Sequence, residues 1–580
     1  MHFQIPKQQW TKMEEYLEGL PQEELGEGMK QSDYLDLMEQ ILEGYDLSDT
    51  VDPNKDLQTY SRLVSVLACL LANGRKEEWK TLFCEMMTKA CGVLPEYEGN
   101  TMLDFAVKEL MFAYRFMKEN DINGDWAKML SSVTTEQYVY PSGEHHNINL
   151  YNVAGEALRT TEGLCDSAEY CKECLVLQLA KLDENGMYPD NYPAEQNPVL
   201  YDLASRFQLQ LIEHFGRAPF DERLRRAGVW SLMTQSATGQ IPYGGRSNQY
   251  LFNETLLASV LEYEAGKQAE DGNFVLAGRM RRGARLAVES IQEFLNCHSH
   301  NRNRYADSKV GCEEYGYYEK YMISAAAFLI GTVLFAREDL PEYPAPCEVG
   351  GYVLYTSPKF HQIFAAVCDY SIQIDTDGDP SYDATGLGRI HKIGIPASLG
   401  LSVPFSGNPR YHLPQECSPL SAAIGIGWDD GEGGVQYLSD LMGIKHALSI
   451  EEEKKDKLKF TVTYTGNVLK NCGGVMESYS LDEGGLRYSA KLLESECKAV
   501  YARVPLLVTD GERESRIKQK AGQTNVYLDD CRWRITTNAS LIPDEVVTGN
   551  RNGVYKIVTL VRLEPKIRLN LSLCRENEEE

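Results

Sequence analysis

Pro344-Ala-Pro-Cys-Glu-Val-Gly-Gly-Tyr-Val-Leu-Tyr-Thr356 is where the chain changes its period. Upstream of it, apolar residues recur at helical spacing. Helices are expected near 8–20, 32–45, 57–73, 76–91, 101–118, 124–132, 147–163, 166–182, 198–214, 221–236, 251–267, 272–296 and 318–336. Gly74, Gly92 and Gly266 fall where helix ends are expected. The segment 58–72 is apolar on more than one face, as a wall of packed helices requires. Downstream, short strands are expected at 350–356, 360–369, 459–465, 486–493, 499–507, 532–537 and 555–561. In the third of these, Phe460, Val462 and Tyr464 share one face. A run of helices followed by a run of strands implies the α+β class. The expected architecture is an N-terminal α/α toroid of about a dozen helices (1–345), then an antiparallel β-sandwich (346–580).

A chain of 580 residues is too long for one compact core, which agrees with that division. The net charge of -27 disfavours nucleic acid and anionic membrane surfaces as partners. An anionic ligand would then need a local basic pocket, for which Arg246 and the 301–304 segment, with Arg302 and Arg304, are candidates. No run of about 18 apolar residues is read as a membrane span. The segment from Met1 to Trp10 lacks a basic stretch followed by an apolar one, and the expectation is a cytoplasmic protein. Fifteen scattered cysteines fit reduced thiols. Cys171 and Cys174 form a CxxC with no second pair, so no metal is expected there. The stretch Asp375-Thr-Asp-Gly-Asp379 opens like a calcium loop. Pro380 and Gly386 occupy the positions where glycine and glutamate are needed, so it reads as a turn. No nucleotide-binding glycine motif is present and no cofactor is expected.

The densest polar segment is Gln235-Ser-Ala-Thr-Gly-Gln-Ile-Pro-Tyr-Gly-Gly-Arg-Ser-Asn-Gln-Tyr-Leu-Phe-Asn-Glu254, between two helical patterns. Its glycines allow sharp bends. Arg246, Asn248, Asn253 and Glu254 offer a guanidinium, two amides and a carboxyl at the mouth of a helix. Such a set suits a sugar acid. A second cluster, Gly311-Cys-Glu-Glu-Tyr-Gly-Tyr-Tyr-Glu-Lys-Tyr-Met322, sets Glu313 and Glu314 among tyrosines. Hydrolysis of a glucuronide needs an acid for the leaving oxygen and a second carboxylate. Glu254 and Glu314 are the candidates, since apolar neighbours favour a protonated glutamic acid. Arg246 would take the uronate carboxylate, Asn248 and Asn253 the hydroxyls, and the Tyr315 ring a pyranose face.

The segments Glu144-His-His-Asn-Ile-Asn-Leu-Tyr-Asn-Val-Ala-Gly-Glu-Ala-Leu-Arg159, Tyr201-Asp-Leu-Ala-Ser-Arg206, 244–254 and 311–322 together resemble glycoside hydrolase family 154. The resemblance spans roughly 140–335. It implies an exo-acting β-glucuronidase that removes terminal glucuronic acid from oligosaccharides or glycoconjugates. The order of toroid and sandwich is also similar to that of toroidal polysaccharide lyases.

That similarity supplies a rival chemistry, β-elimination. It requires neutralisation of a uronate carboxylate and removal of the C5 proton. His145, His146 and Asn147 form one cluster of suitable groups, and Tyr318 with Arg246 another. Neighbours in sequence point apart, so at most one of the two histidines faces a site. Plainer readings exist for each residue. Glu254 could be a helix-start charge, Glu314 a solvated first turn, Tyr315 and Tyr318 core residues, and the histidines a cap. A non-catalytic carbohydrate-binding protein is the third reading, and a homo-oligomer is compatible with the sequence.

Overall fold

The computed structural model describes residues 7–47, 51–140, 146–191, 194, 196–216, 222–247, 250, 252–297, 309–314 and 316–576. His145, Asn248, Tyr315 and the basic segment 301–304 lie outside the described residues.

Each helical span expected from the sequence holds a helix. They are α1 (Lys7–Glu18), α2 (Gln31–Leu42), α3 (Leu57–Ala72), α4 (Lys80–Val93), α5 (Thr101–Met117), α6 (Asp125–Ser131), α7 (Asn147–Thr161), α8 (Ala168–Leu179), α9 (Val199–Gly216), α10 (Glu222–Thr234), α11 (Phe252–Glu270), α12 (Phe274–Cys297), α13 (Tyr318–Phe328) and α14 (Ile330–Phe335). Gly74 follows α3 at φ +70°, as a helix end requires. Gly92 and Gly266 instead lie inside α4 and α11, where nothing obliges a terminus.

The odd-numbered helices from α3 to α13 form a closed series of contacts. α3 packs on α5, α5 on α7, α7 on α9, α9 on α11, α11 on α13, and α13 returns to α3. Helices α4, α8, α10 and α12 pack against this series. Its members are therefore covered on several sides. In α3 every residue from Thr59 to Leu71 is buried, which explains apolar character on more than one face. The continuous stretch Tyr318–Phe335 meets the length and hydropathy of a membrane span, with a mean hydropathy of 1.2, although the sequence reading recognised no such run. Its charged residues are few because 89% of it is buried inside the protein.

From Gly350 onward the chain is antiparallel sheet. The class is α+β. Strands Gly350–Tyr355, Gln362–Val367, Tyr370–Asp375 and Gly386–Lys392 form a four-stranded meander. A five-stranded sheet and an eight-stranded sheet follow. The meander joins the two halves through the two-residue period of its strands. Tyr352, Leu354, Phe364 and Ala366 enter the helical core, whereas Val353, Ile363, Ala365 and Val367 enter the strand core. That second core also holds Phe460, Val462 and Tyr464 of the eight-stranded sheet and Ala502 and Val504 of the five-stranded one.

Candidate functional site

A cavity of about 650 Å³ opens at one end of the helical ring. Its helical wall comes mostly from the first two turns of the ring helices, with Phe328 at the far end of α13. Gln58 and Arg62 enter from α3, Thr101 and Phe105 from α5, and Asn147 and Tyr151 from α7. Leu200 and Tyr201 enter from α9, Phe252 from α11, and Lys320, Tyr321 and Ser324 from α13. Six helix N-termini thus converge on one space, and each contributes a partial positive charge there. Side chains add full charges, since Arg62, Arg246, Lys320 and Arg410 all line the cavity. The strand half supplies its far wall with His361, Asp379, Tyr382 and Arg410.

Arg246 reaches the cavity on a tightly bent loop. Gly244 (φ +154°), Gly245 (φ +68°) and Ser247 (φ +66°) all take backbone conformations that L side chains rarely adopt. A Cβ on Gly244 would meet Val199 at 2.8 Å. Strand residues hold the loop. The Gly245 N–H donates to Asp383 (2.6 Å), and the Gln373 amide donates to the Tyr243 carbonyl (2.7 Å). Buried Glu313 accepts from Arg246 Nε at 2.7 Å and from the Ser247 N–H at 3.2 Å. The guanidinium carbon lies 5.9 Å from the centre of the Tyr201 ring.

His146 caps α7. Its Nδ1 accepts the Ile148 N–H at 3.1 Å, so in the neutral ring the proton is on Nε2. The imidazole stacks on Tyr140, 4.2 Å between ring centres. Asn147 beside it donates from its amide nitrogen to both oxygens of Asp190, at 3.0 Å each. The Asn147 side chain therefore presents its carbonyl oxygen as an acceptor. Lys320 is held at 3.0 Å by Asp56, the N-cap of α3. Burial lowers the Lys320 pKa, an effect only partly opposed by Asp56.

Of the residues expected from sequence, Arg246, His146 and Asn147 share this cavity, while Glu254, Asn253, Glu314 and Tyr318 do not line it. Glu254 is buried in the first turn of α11 and accepts the Ile241 N–H at 3.4 Å. Burial raises its pKa to about 7, as a general acid would need, but it is not on the cavity wall. Asn253 donates to the Ser247 carbonyl and so braces the loop from within. Glu314 is exposed, and its neighbour Glu313 is the one that faces the loop. Tyr318 packs under Arg551, 4.5 Å from the guanidinium to the ring centre. Tyr201, Arg62, Lys320 and Asp190 carried no assignment from sequence. Tyr201 belongs to the motif 201–206, in which Asp202 and Arg206 pair at 2.8 Å on a buried face. Among the described residues no group of three or more His, Cys, Asp or Glu side chains is arranged to hold a metal ion.

No family model and no curated protein sequence matches the chain, so the resemblance to glycoside hydrolase family 154 rests on its motifs alone. Solved structures do match in fold. A chondroitin AC lyase from Streptomyces coelicolor A3, in complex with chondroitin sulphate, superposes with a TM-score of 0.51 at 9% identity. The match covers 98% of this chain and 82% of that one. Heparinase III matches with a TM-score of 0.43 at 10% identity, over 85% of this chain and 73% of that one. A glycosyl hydrolase family 88 protein from Bacteroides vulgatus gives 0.36 at 11%, over 53% and 100%. At 9% identity the likeness to the chondroitin AC lyase is one of fold.

Proposed function

We propose that this protein is an enzyme that cleaves a uronate-containing glycan by β-elimination in the cavity at the helix N-termini. On this reading the closed series of helices is an α/α toroid (1–345) and the strand-rich remainder a β-sandwich (346–580). The observation that carries the proposal is the concentration of positive charge at that point. In a chain of net charge -27, Arg62, Arg246, Lys320 and Arg410 share one cavity with six helix N-termini. An anionic sugar is the ligand such a field favours. A fold shared with a lyase bound to chondroitin sulphate is in keeping with it.

The chemistry follows from the groups on the wall. Elimination begins with loss of the proton on C5, which is acidified when the adjacent carboxylate is neutralised. Arg246 and the Nε2–H of His146 are the donors proposed for that carboxylate. With Nδ1 committed to the Ile148 N–H, neutral His146 acts as a donor and not as the base. Tyr201 is the proposed base, and the Arg246 guanidinium, 5.9 Å from the centre of its ring, is the proposed stabiliser of charge on its oxygen. The electron pair from the C5–H bond forms the C4=C5 double bond as the C4–O bond breaks. The departing oxygen takes up a proton, for which the Tyr201 hydroxyl is the proposed source.

Hydrolysis is the second reading, and one observation favours it: two carboxylates, Asp190 and Asp379, line the same cavity. They stand in for the Glu254 and Glu314 pair that hydrolysis was expected to use. The deciding experiment incubates the protein with an aryl glucuronide and an acidic oligosaccharide. An ultraviolet-absorbing unsaturated product means elimination. Released glucuronate without that absorbance means hydrolysis. No turnover of either, with binding retained, would leave a carbohydrate-binding protein.

A further inference from the structure

His361 lies at the other side of the cavity from the helices, on the turn between the first two strands of the meander. Its backbone is left-handed, φ +46°, a costly state for a residue other than glycine. Three hydrogen bonds fix it there. The His361 N–H donates to the Ser357 carbonyl at 3.1 Å. The N–H and the hydroxyl of Thr376 donate to the His361 carbonyl at 2.9 and 2.7 Å. The side chain is fixed as firmly. Nδ1 meets the Asp375 carboxylate at 2.6 Å, and the other Asp375 oxygen accepts from the Gln362 amide at 2.6 Å. Gln362 Oε1 accepts from the Gln373 amide, which also holds Tyr243 on the loop carrying Arg246. With Nδ1 committed, Nε2 is the nitrogen left to a ring that lines the cavity. A carboxylate on one nitrogen, a strained but over-determined backbone and a place on the wall together describe a prepositioned donor.

We infer that His361, held by Asp375, is the strand-side anion contact of the cavity, and that the glycan carries a second oxyanion, carboxylate or sulfate, that this imidazole meets. The inference rests on the reading of the cavity as a uronate site. The Arg246 loop runs beside the His361 turn, with Gly244 against the Gln362 amide and Gly245 bonded to Asp383; since Arg246 and His146 already supply two donors for one uronate carboxylate, a further fixed donor calls for a further oxyanion. The titratable groups facing His361 are Asp375, Asp377 and Asp383, from the third strand of the meander and its connection to the fourth, and His446 from strand Lys445–Lys454. Asp379 and Arg410 share its wall. Burial opposes charge on the ring, but Asp375, Asp383 and Asp377 outweigh it and hold the His361 pKa at about 9. The contact is thus cationic at neutral pH and is lost as pH rises through about 9.

The test compares three substrates: a glucuronide with one carboxylate, a diuronate, and a sulfated uronate disaccharide. H361Q is expected to raise KM for one or both dianionic substrates at least about tenfold more than for the monoanion, the loss of one charge-assisted hydrogen bond. The dianion affected shows whether carboxylate or sulfate is read. D375N should lower the pH above which the dianion preference disappears. In the wild-type protein, the His361 imidazole resonance should shift on titration with the preferred dianion, which decides the matter even if a variant fails to fold. An unmoved resonance, or an equal change in KM for all three substrates, overturns the inference. If no uronate glycan is turned over, the proposed reaction fails, and the titration still judges the anion contact by itself.

Discussion

Tyr201 and Tyr318 separate the two tyrosine assignments. Only Tyr201 lines the cavity, so Y201F should lower kcat by a factor of about 10² to 10⁴, the range for loss of a general acid–base group. Y318F should leave kcat near the wild-type value, because that ring is packed under Arg551. Steady-state kinetics on the acidic oligosaccharide read both. Glu313 offers a second test. It accepts from Arg246 and from the Ser247 N–H and hydroxyl. E313Q keeps the shape and removes the charge that anchors the guanidinium. Thermal or urea melts should report a loss of about 1.5–3 kcal/mol, with KM rising as Arg246 loses its position. The sequence could nominate residue types here but not faces. Tyr318 and Tyr321 belong to one helix, and burial on every side of a ring helix erases the apolar–polar contrast that would tell them apart. Tyr321 turned to the cavity and Tyr318 away from it. For Tyr201 a signal did exist. Asp202 and Arg206, four residues apart, define one face of α9, and the residue before Asp202 is rotated from it by about 100°.

The joint between α13 and α3 closes the ring, and Asp56 is its fastening. One carboxylate caps α3 through the Thr59 N–H and also accepts from Lys320 and Tyr317 on the facing segment. D56A should cost about 1 kcal/mol from the cap alone, and it leaves Lys320 without its carboxylate partner. The measurable consequence is a lower melting temperature together with weaker binding of the anionic substrate, since Lys320 lines the cavity. A drop in stability with unchanged KM would show that the joint does not set the site. Helices were legible in the sequence because their 3.6-residue period survives even where both faces are apolar. Strands were less so. Some of those read correctly, such as Lys457–Thr465, alternate between core and surface, while Gln362–Val367 is buried throughout and was legible from its run of apolar residues. Strand Tyr370–Asp375 does alternate, with apolar Tyr370, Ile372 and Ile374 between polar Ser371, Gln373 and Asp375, but it is short and runs straight into the polar turn at 375–379, whereas strand Lys445–Lys454 is largely solvated and reads as a polar loop.

At the scale of the whole molecule, ring closure and the cavity came from contacts among helices far apart in sequence, which no local pattern records. The 235–254 loop drew attention to Arg246, but the strand residues that hold it, Gln373 and Asp383, lie more than a hundred positions away. The same distant burial governs the response to pH. Glu254, Glu477 and Asp183 are buried so deeply that desolvation raises each pKa to about 7. In the unfolded chain they would ionise at the ordinary carboxyl values, near 4. Between about pH 4.5 and 7 the folded state therefore holds more protons than the unfolded one, and stability falls as pH rises through that window. His361 acts in the same direction between about 6.5 and 9. E254Q isolates one contribution. The amide matches the shape of the protonated acid and cannot ionise, so near pH 5 the variant and the wild type should differ little. At pH 8 the wild type holds a desolvated carboxylate that the variant lacks, and E254Q should be the more stable by roughly 3 kcal/mol, from a shift of between two and three pKa units. Urea unfolding at the two pH values gives the difference directly, and the other titrating groups cancel between the two proteins. A gap that does not change with pH would mean that Glu254 is ionised in the fold. A kcat lost in E254Q while the fold persists would return Glu254 to the role of acid that the sequence suggested.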